Sequence, residues 1–424
     1  MELQQLFDFL RAGVSPFHAA AHAAGLLDAA GFTRLQEADF WNLEPGRGYY
    51  ITRNQSAVIA WRMPAHAVGG WRITASHGDS PTFKIKNTAV EAAGCVKLNV
   101  EGYGGMHSAT WLDRPLSVAG RVMLRTAEGL AGRLVNLDRD LLVIPSLAPH
   151  MDRAVNEGHR YNPQVDMQPL WGPAGCRGLE DLIAEALGAD KADLVDADLT
   201  LYARQAPTVI GPDGEYFMSP RIDDLECAAT TLFGFLEAGQ DTDSACAPVW
   251  AMLDNEEVGS GTRQGAQSRF LRDTLDRIYD SVPHSGQGMQ RALANSFLLS
   301  ADNAHATHPN FADKADPANP VRMGGGIVLK VNASQKYTTN ALSGALLREI
   351  CRLAGVPVQL FANRADLPGG STLGNLQSHT LPIPMADIGL AQLAMHSAVE
   401  TAATADARAM VRTVAQFYTV HLRC

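Results

Sequence analysis

Six side chains able to bind a metal or move a proton stand beside apolar segments of this chain: His77, Asp223, Glu256, Glu257, Asp302 and His396. The most telling stretch is VWAMLDNEEVGSGT, residues 249–262, where a strand-like run delivers two adjacent carboxylates just before Gly259 and Gly261. Open α/β sheets place their ligands there, at the carboxyl end of a strand where the chain turns. Imidazole and carboxylate without thiolate suit zinc, manganese or cobalt. One catalytic ion takes about three protein ligands and a water, so this set is too large for one ion. It fits two ions about 3.5–4 Å apart that share a carboxylate. Adjacent residues at a strand end point in different directions, so one glutamate of the pair can bind an ion while the other acts as general base.

The elements that must present these groups can be read from periodicity and turn residues. Leu3, Phe7 and Leu10 share one face of a first helix, and Ser15-Pro16 caps a second that ends near Gly31. His18 and His22 on that second helix are spaced i, i+4 but lack the Glu of H-E-x-x-H, so they are expected to pack rather than bind metal. The runs YYITRN, SAVIAWRM and WRITAS follow as strands separated by Asn-Gln and Gly-Gly turns, and the third ends at His77. Asp79 lies two residues on, where it can accept from one ring nitrogen of His77 while the other faces a metal.

Asp223 and Asp224 open the apolar helix LECAATTLFGFLEAG, where an acid could equally be a capping residue. A polar helix is expected over TRQGAQSRFLRDTLDRIYDSV, and SFLLSAD is a strand ending in Asp302, with His305 and His308 just beyond. Lys330 sits among Val328, Leu329 and Val331, so it is expected to be partly buried and to need an anionic partner. The 367–372 loop, with Gly370 and Ser371, would offer backbone N–H groups to a ligand, and His396 follows the last apolar segment.

Between residues 82 and 206 the pattern changes to short β runs (VKLNV, GRVMLRT, GRLVNL, DLLVIPSL) and one helix, GLEDLIAEALG. This is a β-rich module set inside an α/β chain. Its His107 and His150 stand in loops and taken alone are ordinary loop histidines.

Composition bounds the partners. At 424 residues two domains are expected, and a content of 46% hydrophobic and 19% charged residues is that of a soluble folded protein. The net charge of −10 argues against nucleic acid, whose binding depends on lysines and arginines facing phosphates. No apolar run approaches the ~18 residues of a membrane span, and the acidic N-terminus lacks an export signal's basic region. The six cysteines (95, 176, 227, 246, 351 and 424) form no C-x-x-C pair, so free thiols in a reducing cytoplasm are expected.

The motifs H-x-D-S-P, S-P-R-I-D-D-L, D-N-E-E-V-G-S, S-A-D-N-A-H-A-x-H-P-N, K-V-N-x-x-Q-K-Y-x-x-N and A-M-H-S occur in this order over nearly the whole chain. Together they resemble the aspartyl aminopeptidase family of dinuclear zinc exopeptidases. The resemblance implies a mixed central sheet flanked by helices, a discontinuous catalytic domain at 1–85 and 210–424, and an inserted β-rich dimerisation domain at 86–209. It implies two divalent ions per subunit, zinc first, with cobalt or manganese as alternatives. Asp223 would bridge them, His77 and Asp302 would complete one site, and Glu257 and His396 the other. Glu256 becomes the general base, and Asp79 the catalytic carboxylate beside His77.

Lys330, Tyr337 and Met395 would face the substrate, together with His305, Gly370 and Ser371, and Lys330 suits an acidic N-terminal side chain. His150 would reach a neighbouring subunit's site. Dimers would assemble into a dodecamer that admits peptides. Asp224 departs from the pattern, since Asn is expected there in many relatives. The same ligand set would also serve a deacylase or carboxypeptidase, separated by assaying aminoacyl anilides against N-acyl amino acids. A metal-storing scaffold would not need a spare glutamate beside its ligands.

Overall fold

The computed structural model describes residues 1–65, 68–239, 246–282 and 286–420. Its centre is a nine-stranded sheet in the order Thr33–Arg34, Gly48–Arg53, Ala57–Arg62, Cys246–Leu253, Gly70–His77, Phe297–Ala301, Met385–Gly389, Ile327–Val331 and Val358–Ala362. The four strands from Cys246–Leu253 to Met385–Gly389 run parallel, and the flanks mix both senses. This is the expected mixed α/β sheet.

The strands are apolar on both faces because helices cover both. Along Val249–Leu253 the side chains alternate: Val249, Ala251 and Leu253 enter one core while Trp250 and Met252 enter the other. The helices Leu3–Ala12, Pro16–Ala29, Ile222–Glu237, Ala341–Ala354 and Thr404–Thr419 line the Trp250 side. Phe270–Asp280 and Leu373–Ser378 lie on the other, with Trp61 and Trp71 buried beneath them. Pro16 opens its helix as the sequence predicts, with the Ser15 hydroxyl at the cap.

Two further sheets bear on the site. Residues from Thr82 to Ala203 form a six-stranded antiparallel sheet with its own core around Phe83, Trp111 and Leu201. A five-stranded sheet pairs Tyr216–Ser219 with Glu400–Ala403 and ends at the short strand Ala304–His305.

Two expectations change. The run DLLVIPSL makes only isolated bridges at Leu142, Val143 and Ile144, because Pro145 cannot extend the ladder. The helix predicted from Thr262 begins only at Phe270. Residues 262–269 form turns and bends instead, with Gly265 so close to the Ser260 carbonyl that a side chain there would clash. His18 and His22 pack as expected, His18 on the Ser15 hydroxyl and His22 edge-on to Phe9. Cys95, Cys176, Cys227 and Cys351 are free thiols, and Cys424 lies outside the described residues. Among the described residues no helix is long and apolar enough to cross a membrane.

Candidate metal centre

The parallel strands end together, and their ends bring the sequence candidates into one cluster. Leu253 pairs with His77, so the 254–257 turn lies against the 77–79 turn. Asp302 follows Phe297–Ala301, and its N–H donates to the Ile388 carbonyl on the neighbouring strand. Asp223 and Asp224 precede the regular turns of helix Ile222–Glu237, with non-helical backbone and a cis peptide between them. Arg221, Asn255 and His396 hold left-handed backbone although none is glycine. Such positions cluster where surrounding contacts fix a functional site.

Asp223 is the hub. Its Oδ1 lies 3.5 Å from His77 Nε2 and its Oδ2 lies 3.3 Å from His396 Nε2. Glu257 Oε2 approaches the same His396 nitrogen at 3.3 Å. The outer nitrogens of both imidazoles face backbone carbonyls: His77 Nδ1 lies 3.0 Å from Asp79 O, and His396 Nδ1 lies 2.9 Å from Gly105 O. Those contacts make Nδ1 the outward donor and aim each Nε2 at carboxylate oxygens. Although burial opposes a charged ring, the facing carboxylates raise both imidazoles, His396 to about 9, by drawing a second proton to Nε2, and a divalent cation would stand where those protons do.

The cluster fits divalent ions by two further observations. Asp223 Oδ1 and Glu257 Oε1 are buried with no hydrogen-bond partner, which is costly for a carboxylate that binds nothing. Ligand atoms also converge within 4.8 Å in three sets: His77, Asp223, Asp224 and Asp302; His77, Glu256 and Glu257; and Asp223, Glu257 and His396.

Crowded acids in a desolvated place resist ionisation. Burial, then the nearby acids, push Glu256 up to about 7 and Glu257 well above the carboxylate range. Burial acts on Asp223 in the same sense, yet the imidazoles of His396 and His77 hold it below the usual value. Nearby cations relieve such a concentration of negative charge.

Asp79 differs in detail from its sequence role. Its backbone carbonyl, not its carboxylate, is the nearer partner of His77 Nδ1, the carboxylate lying at 3.4 Å. The carboxylate instead accepts the N–H groups of Glu256 and Glu257, each at 3.1 Å, and the hydroxyl of Tyr103 at 2.8 Å.

Lys330 is buried with an anionic partner, as expected. Its ammonium donates to Asn303 O at 2.8 Å and Asp302 Oδ1 at 3.4 Å, and stands 5.6 Å from the buried Tyr337 ring. His305 is open to solvent but hemmed in by protein, and that desolvation, then the Lys330 charge, pushes its imidazole down. It lines a cleft of about 360 Å³ with Phe361, Arg364, Gly370, Gln392 and Ala394. Met395 is half-buried next to His396, and Ser371 is exposed next to Gly370. His150 is exposed in a turn of the β-rich module and, among the described residues, forms no hydrogen bond or ion pair with the cluster. A cavity of about 340 Å³ inside that module is walled mainly by aliphatic side chains such as Leu98, Val122 and Ile183, so size alone does not locate the chemistry.

Three contributors escaped the sequence reading: Tyr103 on the Asp79 carboxylate, Gly105 on His396, and Glu400, which accepts the N–H groups of Asp223 and His396. The first two lie in the β-rich module, and no motif marks any of them.

Gly389 gives a test of how tightly the cluster is built. A methyl group there would overlap the Asp302 carbonyl oxygen, so Gly389→Ala must push the Asp302 turn away from its neighbours. We expect a loss of roughly 1–3 kcal/mol in urea unfolding, the usual cost of overpacking, together with reduced zinc content. Wild-type values for both would show that the turn has room.

Comparison with known proteins agrees with this picture. The sequence profile of the family described as "Aminopeptidase I zinc metalloprotease (M18)" matches residues 9–418. A probable M18 family aminopeptidase 2 from Clostridium acetobutylicum is 41% identical over 426 residues, covering 98% of each chain. In three dimensions the chain is similar to one in a structure described as "Cryo-EM structure of the Ape4 and Nbr1 complex", at a TM-score of 0.95 and 33% identity, covering 98% of this chain and 85% of that one. It is also similar to the mApe1 dodecamer of S. cerevesiae, at a TM-score of 0.87 and 26% identity, covering 98% and 96%.

Proposed function

The chain belongs to the M18 family of zinc aminopeptidases, and on that premise we propose that it is a dinuclear enzyme that removes N-terminal residues, preferentially Asp and Glu, from peptides. The observation that carries the reading is Asp223, whose two oxygens face the inner nitrogens of two different histidines. Asp223 would bridge two ions, His77 and Asp302 would hold one, and Glu257 and His396 the other. Two such ions supply Lewis acidity, which acidifies a water and polarises the scissile carbonyl.

Glu256 then takes the proton of the attacking water and passes it to the leaving amine. Burial raises its carboxyl, which suits a group that must both accept and return a proton. Asp79 holds the Glu256-Glu257 turn through its two backbone N–H groups, and so acts on catalysis by position. The free α-amine of a peptide would lie among the carboxylates, which favours cleavage of the first bond. His305, Tyr337, Met395, Gly370 and Ser371 would line the place of the substrate.

Lys330 would supply the acidic preference. Two of its three N–H groups are committed to Asn303 and Asp302, which leaves one for a substrate carboxylate. Lys330→Met should lower kcat/KM for an Asp-anilide by roughly 10–100-fold more than for a Leu-anilide, the worth of one hydrogen bond to a charged group. Loss of its bond to Asp302 affects both substrates alike, so the difference between them is the readout. An equal loss on both, or a wild type that prefers neutral residues across a full aminoacyl panel, would remove the acidic preference.

We further propose that residues 86–209 form a dimerisation domain set into a catalytic domain of residues 1–85 and 210–424. The separate core of the six-stranded sheet supports this. In a dimer the exposed His150 would serve the neighbouring subunit's site, and dimers would assemble into a dodecamer like that of the yeast relative. Free thiols fit a cytoplasmic setting.

A further inference from the structure

The ligand-bearing turns come from separate strand ends, and short-range structure cannot set the distances between them. Their backbone N–H groups are taken in pairs by three buried carboxylates. Asp79 holds Glu256 and Glu257. Asp224 accepts from His77 N at Oδ2, 3.1 Å, and from Asn303 N at Oδ1, 3.2 Å. Glu400 accepts from Asp223 N at Oε2, 3.0 Å, and from His396 N at Oε1, 2.7 Å. Asp79 clamps two neighbours within one turn, whereas Asp224 and Glu400 each join segments distant in sequence.

We propose that Asp224 and Glu400 are positioning residues that set the spacing of the ligand set, Glu400 tying Asp223 to His396 and Asp224 tying His77 to the Asp302 turn, with neither carboxylate itself holding an ion. The inference rests on the two-ion reading above. It resolves the position of Asp224, whose oxygens come close to those of Asp223 and Asp302. Both of its oxygens already accept a backbone N–H, while Asp223 Oδ1 accepts nothing.

A carboxylate is the side chain this task requires. It offers two acceptor oxygens in one rigid plane, whereas an amide offers one acceptor and turns a donor toward the other N–H. The two clamps are also joined. Gln392 donates to Glu400 Oε1 at 3.3 Å and accepts from Asn303 Nδ2 at 3.0 Å, and Asn303 is the residue whose N–H Asp224 holds. Asn303 donates again to Glu226 at 2.9 Å. Through Gln392 and Asn303, the positions of His396 and His77 are set by one buried network. Outer partners of this kind govern how well a site matches its metal.

The test is Glu400→Gln, with zinc affinity measured by competition against a chromophoric chelator and the melting of the zinc-stripped protein measured in parallel. We expect the variant to fold cooperatively and to bind zinc roughly 10–100-fold more weakly than wild type, the usual effect of removing an outer partner. Affinity within a few-fold of wild type overturns the proposal, whether or not the stripped variant melts lower, because a purely structural role would move melting alone. Should Glu400→Gln fail to fold, Gln392→Leu removes the link between the clamps. Weakened zinc binding in that variant supports the proposal, and unchanged binding overturns it. Failure of the metal-centre reading is seen separately, as a wild type that binds no zinc.

Discussion

Glu256→Gln should abolish nearly all peptidase activity while leaving the protein's zinc content at the wild-type level. Glutamine fills the same space but cannot accept a proton, and a positioned general base contributes about 10²–10⁴-fold. The backbone of the turn stays in place in this variant, because Asp79 holds the N–H groups of residues 256 and 257, not their side chains. We therefore expect kcat to fall by that factor with KM little changed, the pattern of an interaction made in the transition state. Zinc is read by metal analysis of the same preparation. If zinc and activity disappear together, Glu256 is a ligand and the division of labour with Glu257 is wrong.

Much of this centre is legible in the sequence because a parallel strand buried on both faces has a recognisable form. VWAMLDNEE, WRITASH and SFLLSAD each read as an apolar run broken by a group that water or metal must satisfy, and each run proves to be one of the adjacent parallel strands. The expected divergence of Glu256 and Glu257 is not seen: both lie beyond the strand on the 3-10 turn Glu256–Val258, where the period of two does not hold, and their oxygens converge within 4.8 Å. The clamps are not legible. Glu400 reads as an ordinary acid in HSAVET, and its meaning lies in its pairing opposite Ser219, which carries it beside Asp223. Tyr103 reaches Asp79 only because the six-stranded sheet leans on the site. Hydrogen bonds between side chain and distant backbone leave no periodic trace. Two segments depart from expectation for local reasons: the apolar run 140–147 meets Pro145, which cannot extend a ladder, and the polar run 262–269 forms turns in which Gly265 packs against the Ser260 carbonyl.

The division of sites also fixes which substitution should remove the most metal. On the proposed two-ion reading Asp223, whose oxygens lie 3.5 Å and 3.3 Å from the inner nitrogens of His77 and His396, would bridge, so Asp223→Asn would act on both ions at once. The asparagine amide would donate to one Nε2 lone pair and so cover the position of a cation. Zinc per subunit should fall from two toward none, and activity with it. Stability separates this loss from misfolding. Zinc at about 1,000 times its dissociation constant stabilises a native protein by ~4 kcal/mol for each ion, so wild type should melt well above its stripped form, and the variant should gain little from added zinc. In the stripped forms a smaller difference is expected. Asp223→Asn removes the carboxylate that the His396 and His77 imidazoles hold below its usual range, a loss that relief of repulsion at Glu256 and Glu257 opposes, so the stripped variant should melt moderately below stripped wild type while still unfolding cooperatively. A variant that keeps both ions, or one that loses them only because the stripped protein itself has unfolded, would show that Asp223 does not bridge.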